Sequence, residues 1–345
     1  MKIVVDNKIP YIQAALKTLA DEVVAKAGGE ISPADVHDAD ILVVRTRTRC
    51  DHHLLEDSSV RLVVTATIGY DHIDTAFLEA AGIRWTNCPG CNATSVAQYV
   101  GNSLLLLKRD RGLRLKTATM GIVGVGHVGT AVMEAAQRLN IGRLLLNDPP
   151  RETAGERLPN GLPWTDLPTL LTEADIITLH TPPTAEGPYP TLHLINAQSF
   201  DMMKRRPVII NAGRGGLIDE RALEAAMDAG TVREVVLDTW EHEPRINHTL
   251  LNKVYIGTPH IAGYSADGKA NATRMALTAI CRFLGRPMTF DIQAPPLPSD
   301  FKPSPLPEEL ALRLYNPLSD SEHLKANPES FEQLRGSYPL RREHL

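Results

Sequence analysis

Along the chain, short runs of apolar residues alternate with segments whose apolar positions recur every three or four residues. IVV (3–5), ILVV (41–44), LVVTA (62–66), GIVGVG (121–126), LLLN (144–147), IITLH (176–180), VIIN (208–211), VVLD (235–238) and VYIGT (254–258) read as strands. Segments 11–19, 95–108, 128–139 and 266–284 carry helical spacing. Strands that are apolar at every position are buried on both faces, as in parallel sheets, and strand–helix alternation places the chain in the α/β class. Nine strands exceed the smallest such unit, so two sheets are expected. The turn NCPGCNAT (87–94) and the helix after it mark one domain seam, and the helix following the last strand marks the return.

The pattern fails after Arg286. Of the 25 prolines, 10 fall in residues 287–345, so no sustained strand fits there and only short helices near 308–315 and 329–335 are expected. Such a segment buries little by itself and must dock or stay mobile. The expected organisation is therefore 1–92 with 266–286 as one domain, 93–265 as the second, and 287–345 as a C-terminal extension.

With 345 residues and 43% apolar composition, the chain can bury two sizeable cores. A net charge of −5 argues against a general nucleic-acid partner. No apolar run approaches the ~18 residues of a membrane span, and the start MKIVVDNKIP lacks the regions of a signal peptide, so no membrane partner and a cytoplasmic location are expected. Cys88 and Cys91 have redox or half-zinc spacing, but no second ligand pair follows. The simpler reading is two small residues at a turn in a reducing compartment, with no metal.

Gly124-Val-Gly126-His-Val-Gly129 ends an apolar strand and opens a helix. In that context the first glycine permits a tight turn, the second admits a pyrophosphate, and the third allows close helix–strand packing. Asp148, 19 residues beyond Gly129, stands where a carboxylate accepts bonds from the ribose hydroxyls and repels a 2′-phosphate, which favours NAD over NADP. Three later strands run into Arg214, Glu243 and His260. A histidine can take the proton of a hydroxyl as hydride leaves its carbon, a glutamate can orient the ring, and an arginine fork can hold a carboxylate. Together they suit oxidation of a 2-hydroxy acid. His180 and Asp238 also end strands and are expected to border the cofactor.

Arg45-Thr-Arg47-Thr-Arg49 follows the strand ILVV. If extended, it sets arginines on one side and threonines on the other, and with Thr65 and Thr67 it makes an anion pocket for a phosphorylated substrate.

Through GIVGVGHVGTAV, EADIITLHTPP, MKRRPVIINAGRGGLID, LDTWEHEP and GTPHIAGY, the sequence resembles the D-isomer-specific 2-hydroxy-acid dehydrogenases over roughly residues 1–285. The resemblance implies two doubly wound parallel-sheet domains, a Rossmann-type NAD domain and a flavodoxin-like substrate domain, with the catalytic set on Arg214, Glu243 and His260. Within the family, KIVVDNKIPY, TATIGYDHID, PGCNA, HTPPTAEGPYPTLHLI and HIAGYSADGKA imply NAD-linked oxidation of 4-phospho-D-erythronate in pyridoxal phosphate biosynthesis. They further imply substrate contacts at Thr46, Thr67 and Tyr264, with Arg45 and Arg47 beside them. Cofactor contacts are implied at Asp148, Thr181, Ala212, Gly213, Arg214, Asp238 and Gly263, and a homodimer helped by the extension. The alternatives are another 2-hydroxy acid, such as 3-phosphoglycerate or hydroxypyruvate, and an NAD-sensing binding protein on the same scaffold.

Overall fold

The computed structural model describes residues 1–158, 161–339 and 341–344. Among these, eleven strands form two all-parallel sheets, one in each of two compact units. The first unit comprises Met1–Asn92 and Ser265–Leu297, the second Ala93–Tyr264 and Pro298–Leu345.

In the first unit, β1 (Lys2–Asp6), β2 (Glu22–Lys26), β3 (Ile41–Val44), β4 (Leu62–Thr65) and β5 (Arg84–Thr86) lie in the order β2-β1-β3-β4-β5, the flavodoxin-like order. Alternate residues feed opposite cores. Ile3, Val5, Ile41, Val43 and Val64 pack on one side, and Val4, Leu42, Val44 and Val63 on the other. Burial on both faces is why these strands are apolar without alternation. The helix Ala266–Phe283 closes one face, where Thr273 Oγ1 donates to Pro10 O at 2.8 Å. The four cysteines are free and buried, and burial pushes the Cys50 and Cys91 thiols up to about 12, so neither is a thiolate at neutral pH.

In the second unit, β6 (Thr119–Val123), β7 (Arg143–Asn147), β8 (Ile176–Leu179), β9 (Val208–Asn211), β10 (Glu234–Leu237) and β11 (Ile256–Gly257) lie in the order β11-β10-β9-β8-β6-β7. A parallel bridge from Leu146 to Trp164 stands beyond β7, where the Rossmann order has its outermost strand. Among the described residues, that strand is reduced to one bridge.

The tail divides between the units. Residues 287–297 belong with the first and 298–345 with the second. The latter stretch forms helices Pro307–Leu314, Pro317–Ala326 and Phe331–Gly336. The middle one is absent from the sequence expectation because it has almost no amphipathic pattern. Its ends are set locally, by Asn316 Oδ1 accepting from Leu318 N at 3.1 Å and by Pro317 in the first turn. Phe331 and Leu324 are buried in the second core.

Candidate active site

In a parallel sheet every strand delivers its following loop to the same edge, so six loops of the second unit meet beyond the carboxyl ends of β6–β11. They carry the glycine turn, Asp148, His180–Thr181, Ala212–Arg214, Asp238 and His260 in that chain order.

The glycine turn is built for close approach. Gly124 has φ +83°, and a Cβ there would meet the Thr181 backbone N at 2.9 Å. A Cβ on Gly129 would lie 2.0 Å from Gly124 O, so the helix His127–Arg138 can start tight against the turn only with glycine there. A Cβ on Gly126 would meet nothing within 4 Å, which leaves space beside the N-terminus of that helix, where an anionic group is favoured. Asp148 Oδ2 accepts from Val125 N at 2.8 Å, tying the end of β7 to the same turn. Among the described residues, buried Thr181 Oγ1 and His180 Nδ1 have no hydrogen-bond partner, and burial drops the His180 ring to about 3, so it is neutral. Space at Gly126 and polar atoms left unmatched on the next loop fit a dinucleotide.

Glu243 and His260 meet. The His260 Nδ1–H donates to Glu243 Oε2 at 2.7 Å, and Trp240 N donates to Glu243 Oε1 at 3.0 Å. Burial would raise the Glu243 carboxyl, but its bond to and charge attraction with His260, with the Trp240 N–H, hold it below the usual range. The carboxylate is thus fixed on Nδ1, leaving Nε2 as the ring nitrogen available for chemistry. The arginine loop packs against the same turn: a Cβ on Gly215 would lie 1.9 Å from Trp240 O. Asn211 Nδ2 donates to Arg214 O at 2.8 Å and its Oδ1 accepts from Gly213 N at 3.1 Å, which shapes the loop that presents Arg214.

Asp238 holds the histidine segment from beneath. Its Oδ1 accepts from Ile261 N at 2.8 Å and Thr258 Oγ1 at 2.7 Å, and its Oδ2 accepts from Ala262 N at 2.8 Å. Thr258 in turn bonds the buried Tyr99 hydroxyl at 2.8 Å. Burial pushes the Asp238 carboxyl up, against the pull of His260 and these donors. His260 itself sits at φ +57°, a left-handed conformation rare for a non-glycine residue.

In the first unit the expected extended Arg–Thr repeat is corrected. Residues 45–48 form a turn closed by Thr48 N to Arg45 O at 3.3 Å, so the alternating faces do not arise. Arg45 Nη1 donates to Lys8 O at 3.3 Å, and Thr46 and Arg47 are exposed at the tip. Thr48 is buried, its Oγ1 donating to Gly28 O at 2.8 Å, and Arg49 pairs with Asp51 at 2.9 Å. The strand ends because its pairing with β4 stops at Val44–Thr65. Thr65 and Thr67 do meet, Oγ1 to Oγ1 at 2.7 Å. Thr67 donates to Gly69 O at 2.8 Å, so Thr65 donates to Thr67 and His72 Nε2–H donates to Thr65 at 3.0 Å. Burial drops His72 to about 4, keeping it neutral in that chain. His72 escaped the sequence reading because a lone histidine in a loop carries no pattern.

The second unit also draws in residues that sequence reasoning missed. From the tail, Arg335 lies 6.0 Å from the Tyr264 ring and Tyr338 meets that ring edge-on at 6.1 Å. Arg341 is buried against the histidine segment. A charge following a proline-rich stretch reads as solvated, so no sequence signal marked them. Among the described residues, no group of three or more His, Cys, Asp or Glu can hold a metal ion, and no helix is long and apolar enough to cross a membrane.

Residues 97–262 match the family model described as "D-isomer specific 2-hydroxyacid dehydrogenase, NAD binding domain". The erythronate-4-phosphate dehydrogenase of Bacteroides thetaiotaomicron is 51% identical over 348 residues, covering 99% of this chain and 97% of that one. That of Porphyromonas gingivalis is 41% identical over 351 residues, covering 99% and 94%. The D-lactate dehydrogenase of Aquifex aeolicus, solved with NAD and lactic acid, superposes with a TM-score of 0.67 at 23% identity, over 83% of this chain and 96% of that one.

Proposed function

The chain belongs to the erythronate-4-phosphate dehydrogenases within the D-isomer-specific 2-hydroxyacid dehydrogenase family, and on that premise we propose how its residues oxidise 4-phospho-D-erythronate to the 2-oxo acid with NAD, a step in pyridoxal phosphate biosynthesis. The observation that carries the reading is the Glu243–His260 pair at 2.7 Å on the strand edge that also holds the glycine turn.

Bound NAD supplies the hydride acceptor. His260 Nε2 takes the proton of the substrate's C2 hydroxyl, and Glu243 on Nδ1 stabilises the imidazolium that results. Arg214 holds the substrate carboxylate with its planar fork. Gly124, Gly126 and Gly129 give room for the pyrophosphate at the helix N-terminus, and Asp148 takes the ribose hydroxyls and disfavours a 2′-phosphate. Thr181, Ala212, Gly213, Asp238 and Gly263 line the cofactor side. Tyr264, Thr46 and Thr67, with Arg45 and Arg47, are the proposed substrate contacts, and exposure of Thr46 and Arg47 at the tip of their turn supports this. We place the enzyme in the cytoplasm as a homodimer; four free, buried cysteines agree with a reducing compartment.

The test follows NADH formation with 4-phospho-D-erythronate, D-erythronate and 3-phosphoglycerate side by side. The reading expects kcat/KM to be at least about 100-fold higher for the first, since a phosphate-binding site left empty forfeits charge-assisted bonds worth more than about 2.7 kcal/mol. Equal rates with D-erythronate would refute the phosphate contacts, and faster turnover of 3-phosphoglycerate would reassign the substrate.

A further inference from the structure

The segment after His260 is gripped from two sides by groups far apart in the chain. From one side Asp238 accepts the N–H groups of Ile261 and Ala262. From the other, Arg341 donates to the carbonyl oxygens of the same two residues, Nη1 to Ile261 O at 3.1 Å and Nη2 to Ala262 O at 2.6 Å. The remaining donors are also engaged: Nη1 with Tyr338 OH at 3.3 Å, Nη2 with Ser95 O at 3.3 Å, and Nε with Gln98 Oε1 at 3.2 Å. All five guanidinium N–H groups therefore have an acceptor, and the flat face lies 3.7 Å from the centre of the Tyr315 ring. Arg341 is only 8% exposed, and a cation seldom accepts such burial unless every donor is matched.

What the clamp holds is a strained residue. His260 at φ +57° is kept there only if its surroundings over-determine the backbone. The peptide groups immediately after it are buried; Ile261 O also accepts from Tyr264 N at 2.8 Å, while the donor described for Ala262 O is Arg341.

We propose that Arg341 is a positioning residue for the dehydrogenase reaction: its guanidinium completes the hydrogen bonding of Ile261 and Ala262 and so holds the His260 ring on Glu243 in the geometry that accepts the substrate proton. This rests on the reading of His260 as the base. Arg341 touches neither that ring nor the glycine turn in the contacts described, so its removal acts chiefly on turnover and far less on NAD binding. Lysine cannot substitute, because its three donors on one point cannot serve five acceptors arranged around a plane.

The experiment uses the full-length enzyme as Arg341→Ala and Arg341→Lys, with Lys325→Met as a control that disturbs the same extension where its amino group meets Tyr255 O at 3.4 Å. Expected are a kcat at least tenfold lower in Arg341→Ala, a KM for NAD within twofold of the parent, and partial recovery of kcat on adding millimolar ethylguanidinium, which the parent and Lys325→Met do not show. If Arg341→Ala does not fold, Arg341→Lys carries the test with a loss of at least fivefold at unchanged NAD affinity. Parent-like kcat in a folded Arg341→Ala, or in Arg341→Lys, overturns the proposal. So does a fall in kcat, NAD affinity and melting temperature together that Lys325→Met reproduces, which marks mere docking of the tail. Amide hydrogen exchange at Ile261 and Ala262 must also accelerate at least tenfold in the variants, a readout that needs no turnover. Were the parent inactive on every substrate offered, the functional reading would fail while exchange still judged the clamp; unchanged exchange refutes the clamp itself.

Discussion

The glycine turn makes a paired prediction in which one added carbon has opposite consequences at positions three residues apart. In Gly129→Ala the new Cβ would lie 2.0 Å from Gly124 O and 2.9 Å from Gly124 C. An ordinary C···O contact is no shorter than about 3.3 Å, so helix and turn must separate by about 1 Å, and the obstructing atoms are backbone that cannot rotate away. Overpacking of this kind costs about 1–3 kcal/mol, and the upper end applies here. For a unit of this size that is a fall in Tm of about 6–12 °C, with NAD affinity lost as the turn deforms. In Gly126→Ala the Cβ meets nothing within 4 Å and the backbone sits at φ −71°, open to any residue. Its Tm should stay within about 4 °C of the parent, because an alanine N-cap costs under about 1 kcal/mol against glycine. Yet if the open space holds the pyrophosphate, that methyl group displaces it, and NAD should bind at least tenfold more weakly, about 1.4 kcal/mol. Differential scanning calorimetry and NAD titration by isothermal calorimetry separate the two effects. Parent-like NAD binding by Gly126→Ala would refute the cradle, and a stable Gly129→Ala would refute the packing argument.

Three further outcomes follow from the site. Glu243→Gln should lower kcat about 10²–10³-fold with the KM for NAD unchanged, since the amide cannot stabilise an imidazolium; steady-state kinetics with a loss under threefold would remove Glu243 from the mechanism. Arg214→Lys should cut kcat/KM for the hydroxy acid by about 10–100-fold, because a single ammonium cannot reproduce two parallel bonds, and an unchanged value would refute the carboxylate clamp. Glu220, buried and beside Glu241, is pushed up to about 7 from an ordinary 4.5, chiefly by burial. Between those values the folded chain keeps a proton that the unfolded chain has lost, so this group's effect on stability worsens as pH rises from about 4.5 through 7, by up to about 3 kcal/mol. Urea denaturation should find Glu220→Gln equal to the parent near pH 5 and more stable near pH 8; parallel pH profiles would contradict the shift.

Buried strands announce themselves through unbroken apolar runs, which is why nine of the eleven described strands are legible from the sequence, β7 and β11 at the edges of the second sheet among them. The two that are not, EVVAK and RWT, are β2 and β5 at the edges of the first sheet, where polar side chains face water and the strand is short. Glu243 and His260 stand out because strand ends in a doubly wound sheet share one edge, so residues 17 apart can be expected to meet. The Arg–Thr repeat misleads for a related reason: its alternation looks like a strand, but pairing with β4 has already ended at Thr65. Arg341 leaves no trace in the sequence pattern. Its partners are mainly backbone carbonyls, which every residue possesses, and the nearest of those in the histidine segment is 79 positions away.

That separation gives the site a history during synthesis. Ribosomes add roughly 5–20 residues per second and domains fold from the N-terminus onward. Once Ala262 has been made, roughly 4–16 s pass before Arg341 exists to meet it. Over that interval both sheets have all their strands, while the carbonyls of Ile261 and Ala262 still lack their cation. On the clamp proposed here, a nascent chain acquires its strands well before its competence, and a message cut short just before the Arg341 codon would keep the helix Ala266–Phe283 and the core residues Leu324 and Phe331 while leaving the histidine slack.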